Sequence, residues 1–155
     1  MLMYHLSKRE IRAGSQLTRG VYGERIRRDD FLKAAYGSYL KEEIFEDIRQ
    51  RYYPQAPSRF KAVFLFTDLT TAKAFWANQD HYQSYIYSVR LAEDAQPFVA
   101  EMELLRADGL PYPDILERAH AYWQQKQQPE SMSLEAICTG TVLVEELILP
   151  PSSIL

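Results

Sequence analysis

Apolar residues come in short runs, parted by polar stretches that carry the glycines and prolines, and their spacing changes along the chain. Residues 2–7 are a first apolar segment and predict a strand. Gly14, Gly20 and Gly23 punctuate residues 13–24, which predict a loop over the fold. Asp29 or Asp30 can cap a helix beginning near Phe31. Along it Leu32, Tyr36, Leu40, Ile44 and Ile48 recur every four residues and predict one apolar face. Glu42, Glu43, Glu46, Asp47, Arg49 and Arg51 then fall on its solvated face, and Pro54 and Pro57 end it.

The continuous run of residues 62–66 predicts a buried strand, and Thr67 or Asp68 caps a short helix over about 70–77. Residues 85–91 and 98–104 predict two further strands. The second alternates Phe98, Ala100, Met102 and Leu104 against Val99, Glu101 and Glu103. Gly109, Pro111 and Pro113 mark a turn, and Asp114 caps a helix to about Gln125 with Ile115, Ala119 and Tyr122 inward. Residues 124–133 are polar and predict a loop, 141–149 a closing strand, and 150–155 a tail. Strands and helices mix without a steady βαβ rhythm, which points to an α+β domain over residues 1–149.

At 155 residues, 46% hydrophobic and 25% charged, the chain has the balance of one globular domain. Its net charge of −3 argues against bulk electrostatic binding to nucleic acid or to an anionic membrane. A local basic patch from Lys8, Arg9, Arg12, Arg25, Arg27 and Arg28 is compatible with that total. Cys138 is the only cysteine, so no intramolecular disulfide forms, which fits a reducing cytoplasm; a translocated effector would look the same. No apolar run approaches the ~20 residues of a membrane span, and the first residues lack the layout of a signal peptide.

Chemistry concentrates in a few places. Tyr4-His5-Leu6-Ser7 puts an imidazole and a hydroxyl two residues apart in the first strand, on one face. Glu135 follows the polar loop and precedes a strand, with Gly140 in its turn. A histidine and a glutamate on separate strands can meet in a sheet. There the imidazole can hold a ribose and the carboxylate can stabilise a developing oxocarbenium ion. The plainer readings are a structural histidine and a solvated strand-edge glutamate, with Glu101 and Glu103 as rival acids. In residues 63–76, Phe64 and Trp76 can stack on a flat ring, or simply pack a core. Arg59 can grip a pyrophosphate in a bidentate way, or pair with a carboxylate of the preceding helix. Cys138 beside His5 or His120 reads as a small buried residue rather than a nucleophile. The three histidines have no metal-ligand spacing, and there is no GxGxxG run and no P-loop.

These residues resemble the ADP-ribosyltransferase superfamily, in particular the His-Tyr-Glu branch of poly-ADP-ribose polymerases, diphtheria-like toxins and rifampin ADP-ribosyltransferases. Tyr4-His5-Leu6-Ser7 looks like its first-strand motif, residues 63–76 like the second, and Glu135 onward like the third. Tyr85-Ile86-Tyr87-Ser88-Val89 and the glycines from Gly14 to Gly23 are similar to segments of the rifampin-modifying enzymes. The whole chain also looks like a bacterial domain family that carries Pro57-Ser58-Arg59 and Ala121-Tyr122-Trp123. The resemblance implies a split mixed or antiparallel sheet with flanking helices. It implies NAD as substrate, held by His5, Ser7, Tyr22, Arg59, Phe64 and Trp76, with Glu135 and His5 as catalytic residues and no metal.

The implied activity is ADP-ribosyl transfer to an unknown protein, nucleic-acid or small-molecule acceptor, or NAD hydrolysis. Two departures matter. The second motif normally brings a tyrosine for the nicotinamide, and here Phe64, Trp76 or Tyr22 would take its place. Ser133, two residues before Glu135, is not the Glu or Gln of arginine-modifying toxins. In the rifampin enzymes the acid lies earlier in the chain, which keeps Glu101 as the alternative. The missing tyrosine also leaves open a non-catalytic member of the fold that serves as a protein-interaction module.

Overall fold

A computed structural model describes residues 2–28, 36–78, 83–127 and 133–152. The strands are β1 (Leu2–Ser7), β2 (Val63–Phe66), β3 (Tyr85–Leu91), β4 (Phe98–Glu101), β5 (Leu134–Cys138) and β6 (Val142–Leu149). The helices are α1 (Val21–Arg28), α2 (Tyr36–Tyr52), α3 (Leu69–Ala77) and α4 (Tyr112–Trp123), with a 3-10 helix over Met102–Leu105. The protein is α+β, with one six-stranded antiparallel sheet in the order β4-β5-β2-β1-β3-β6.

The centre of this sheet is thinly joined. β1 pairs with β3 along its whole length, from Leu2–Arg90 to Ser7–Tyr85, but meets β2 only at Tyr4–Phe66. Two three-stranded halves result, β4-β5-β2 and β1-β3-β6. Beyond Tyr4 the imidazole of His5 meets the Phe64 carbonyl, with Nδ1 at 2.9 Å. The alternating side chains explain how both halves share a core. One face of every strand feeds a single cluster, with Met3, Leu65, Val89, Ala136 and Val144 buried and Val99 packed against them. No described helix contributes to that cluster. α2 and α4 cover the other face of the first half through Phe45, Tyr122, Trp123 and Ile137, and α3 covers the second through Ala72, Phe75 and Trp76. The Asp68 carboxylate caps α3 by accepting from the Thr71 N–H at 2.7 Å, one of the two predicted caps.

Asp114 does not cap α4: Pro111 holds the cap position without a side-chain bond, and Asp114 lies inside the first turn. Four further expectations change. Residues 21–24 are the first turn of α1, not loop. Gly23 is there for close approach, since a Cβ on it would overlap the Phe60 backbone. The second change is on α2. A strict four-residue repeat advances 400° and drifts about 40° per step around a 3.6-residue helix. The stripe therefore winds off the inward face: Tyr36 and Leu40 are exposed, and of its described members only Ile48 is buried. The inward positions are Glu42, Phe45 and Glu46, so two carboxylates assigned to solvent are buried. The start predicted near Phe31, with its caps Asp29 and Asp30, lies outside the described residues. Third, β4 stops at Glu101 and the chain turns into the 3-10 helix, so Met102 and Leu104 do not continue the strand. Fourth, Glu135 sits within β5, opposite Phe66 of β2 and Ala100 of β4, rather than ahead of a strand. No described helix is long and apolar enough to cross a membrane.

Candidate functional site

A cleft of about 1450 Å³ opens where β1 and β2 part. Its walls include His5, Ser7, Tyr22, Arg59, Phe64 and Glu135, brought together from β1, α1, the turn before β2, β2 itself and β5. Of the residues predicted for the site, Trp76 is the one that does not line it. Its indole N–H donates to the Ser84 carbonyl at 2.7 Å, and its ring packs with Phe66, Ala72 and Ile86. Trp76 therefore belongs to the core under α3. Trp76→Ala should cost about 2–3 kcal/mol, below the range for fully buried rings because this one is half-buried. Trp76→Phe should cost about 1 kcal/mol for the lost hydrogen bond. Chemical denaturation reads both, and NAD affinity should not follow either change.

His5 is half-buried. A carbonyl accepts but never donates, so Nδ1 carries the proton toward Phe64 and Nε2 is left as an acceptor. Burial holds the imidazole below its ordinary pKa, partly offset by the Phe64 carbonyl, so the ring is neutral at pH 7. Ser7 spends its hydroxyl on its own turn, donating to the Arg9 carbonyl at 2.7 Å and accepting from the Arg9 N–H at 3.1 Å. The rings of Tyr22 and Phe64 form a T-shaped pair, 4.8 Å between centroids, and the Tyr22 hydroxyl donates to Glu42 at 3.2 Å. Burial and the neighbouring Glu42 push its phenol pKa up, so it stays protonated.

Arg59 is the hub beneath the cleft and is 5% exposed. Its Nε and Nη2 donate to Glu42 at 2.9 and 3.1 Å, and its Nη1 donates to the Tyr122 hydroxyl at 2.7 Å and to Glu135. The guanidinium lies over Phe64, 4.9 Å from its centroid, and over Tyr122, at 5.3 Å. Burial alone would loosen its proton, but Glu135 and Glu42 reverse that, so Arg59 stays charged. The sequence left a pyrophosphate grip and an internal ion pair open for Arg59; the internal pair is what forms. Glu42 is raised by burial but lowered more by Arg59 and Lys41, and its pKa sits at about 2. Sequence reasoning missed Glu42, because a glutamate among charged helix neighbours reads as solvated.

Glu135 is 6% exposed, not at a solvated strand mouth. Its Oε1 accepts from Arg59 and, at 2.6 Å, from the Tyr122 hydroxyl; among the described residues no donor reaches Oε2. Glu101, the alternative acid, is completely buried and off the cleft. Among the described residues its Oε1 accepts only a 3.3 Å bond from the Glu103 N–H. Its Oε2 has no partner among the described residues. Lys8, Arg9, Arg12 and Arg25 line the cleft, while Arg27 and Arg28 pair outside it with Glu43 and Glu24, so four members of the predicted basic patch gather at the site. Cys138 is buried and burial raises its thiol pKa, which keeps it an unreactive thiol. Among the described residues no group of three metal-ligating side chains converges.

No curated protein matches the chain. Residues 4–149 match the model of one family, described as a protein of unknown function (DUF2441), and the chain belongs to that family.

Proposed function

We propose that the cleft binds NAD and that the protein breaks the bond between nicotinamide and ribose, passing ADP-ribose to an acceptor or to water. The observation that carries this reading is that His5 and Glu135, 130 positions apart in sequence and on strands either side of the parting between β1 and β2, both line one cleft. The sheet's division into two three-stranded halves agrees with the split sheet that the sequence resemblance implies.

In this reading the neutral His5 accepts a ribose hydroxyl at Nε2, and Tyr22 with Phe64 offers ring surface to the nicotinamide. Arg59 is spent on internal carboxylates, so the diphosphate falls to the cleft cations Lys8, Arg9, Arg12 and Arg25. As the C1′–N bond breaks, its electron pair goes to the nicotinamide nitrogen and neutralises that ring. Positive charge grows on the ribose and is stabilised by the carboxylate of Glu135. The acceptor's lone pair then bonds to C1′, and its proton leaves to solvent. NAD is an intracellular metabolite, so this reading places the activity in a cytoplasm, whether that of the producing cell or of a target cell.

A second reading, a non-catalytic binding module, is favoured by one observation. Arg59 lies on the ring of Phe64 and pairs with Glu135, occupying a stacking surface and partly neutralising the acid.

A thermal melt with NAD tests the site. Millimolar NAD should raise Tm, because a ligand that binds only the folded state stabilises it. His5→Ala should remove most of that shift with the fold intact. A wild-type protein whose Tm does not move with NAD would set the NAD site aside.

A further inference from the structure

Glu42 stands on α2, 1% exposed, and does not line the cleft, yet it touches three residues that do. Tyr22 donates to its Oε1 at 3.2 Å, and the Lys41 ammonium sits 3.1 Å from the same oxygen. Its other partner is Arg59, engaged through both Nε and Nη2. Arg59 in turn joins three elements: α2 through Glu42, α4 through Tyr122, and β5 through Glu135. A planar guanidinium bonded along its edges and covered by two aromatic rings has no freedom to turn.

Glu135 inherits that rigidity. Both donors that reach it among the described residues, Arg59 and Tyr122, meet Oε1. Held there, the carboxylate has only Oε2 to offer the cleft it lines. Glu42 has a second effect. Arg59 carries one positive charge, and sharing it with Glu42 keeps it from neutralising Glu135 completely. Lys41 balances Glu42 from the cleft side.

We propose that Glu42, acting through Arg59, is a positioning residue for Glu135, and that Tyr122 is the second clamp on the same carboxylate oxygen. The proposal rests on the reading of Glu135 as the acid of NAD cleavage. The competing idea is a structural staple that ties α2, α4 and β5 and has no effect on turnover.

Steady-state nicotinamide release, with kcat and KM measured separately, distinguishes the two. The variants are Glu42→Gln, which keeps shape and removes charge, and Tyr122→Phe, which keeps the ring and removes one donor. Each should lower kcat by about 10- to 100-fold, the effect of a modest misplacement at a reacting centre. KM should stay within about threefold, and the NAD-induced Tm shift should persist. If Glu42→Gln does not fold, Tyr122→Phe alone carries the test. An active wild type whose variants lose Tm but keep kcat overturns the positioning role and leaves the NAD reading standing, as does a rise in KM with kcat unchanged. A wild type that binds NAD but releases no nicotinamide overturns both.

Discussion

Replacing Glu135 with Gln should lower nicotinamide release by roughly 100- to 1000-fold while NAD affinity stays within about twofold. The substitution is nearly isosteric, and the amide oxygen can still accept from Tyr122 and Arg59, as Oε1 does in the wild type. What disappears is the negative charge. That charge has little to act on while NAD is intact and much to act on once positive charge gathers on the ribose, so the loss should fall on kcat rather than on binding. Glu101→Gln is the comparison. Glu101 is buried on another strand and does not line the cleft, so its conversion should leave turnover unchanged. Nicotinamide release measured in both variants gives the ranking, and the reverse order would move the chemistry away from β5.

Removing Arg59 should be the most destabilising single change at the site. Arg59→Ala leaves Glu42 and Glu135, both buried, facing one another without their shared cation. Breaking a buried pair from one side typically costs about 3–5 kcal/mol, because the remaining charge has no compensation. Two features identify the cause. Adding Glu42→Gln should recover about 1 kcal/mol, since it removes one of the two buried carboxylates that shared Arg59. The pH dependence should also weaken. In the wild type the Glu42 pKa is depressed from 4.5 to about 2, so its stabilising contribution is present above pH 4.5 and is lost as the pH falls toward 2. Without Arg59 only Lys41 opposes the burial of Glu42, so less of that contribution should remain to be lost in acid. Urea unfolding at neutral and at mildly acidic pH reads both.

The parts of this protein that could be read from sequence follow from how each residue carries its signal. β1, β2 and β3 are compact apolar or alternating runs and appear where the pattern puts them. His5 and Glu135 stand out in the sequence because each is a chemically distinct group in or beside an apolar strand, and both line the cleft. Glu42 was not legible. On an exposed helix a glutamate among Lys41, Glu43 and Glu46 looks the same as it does here, and the arrival of Arg59 from a turn 17 positions later, added to Lys41, makes its burial tolerable. The four-residue repeat on α2 misled for a geometric reason, since its drift carries Tyr36 and Leu40 out to solvent. Trp76 misled for a chemical one. An indole suits a stacking site and a core equally well, and its N–H found the Ser84 carbonyl.

Incubating the full chain with NAD and separating the products by chromatography tests the proposed reaction most directly. Nicotinamide should appear in step with the loss of NAD, and its appearance should depend on Glu135. NAD that stays intact with folded wild-type protein, or that is consumed equally fast by Glu135→Gln, would contradict the proposed chemistry at this cleft.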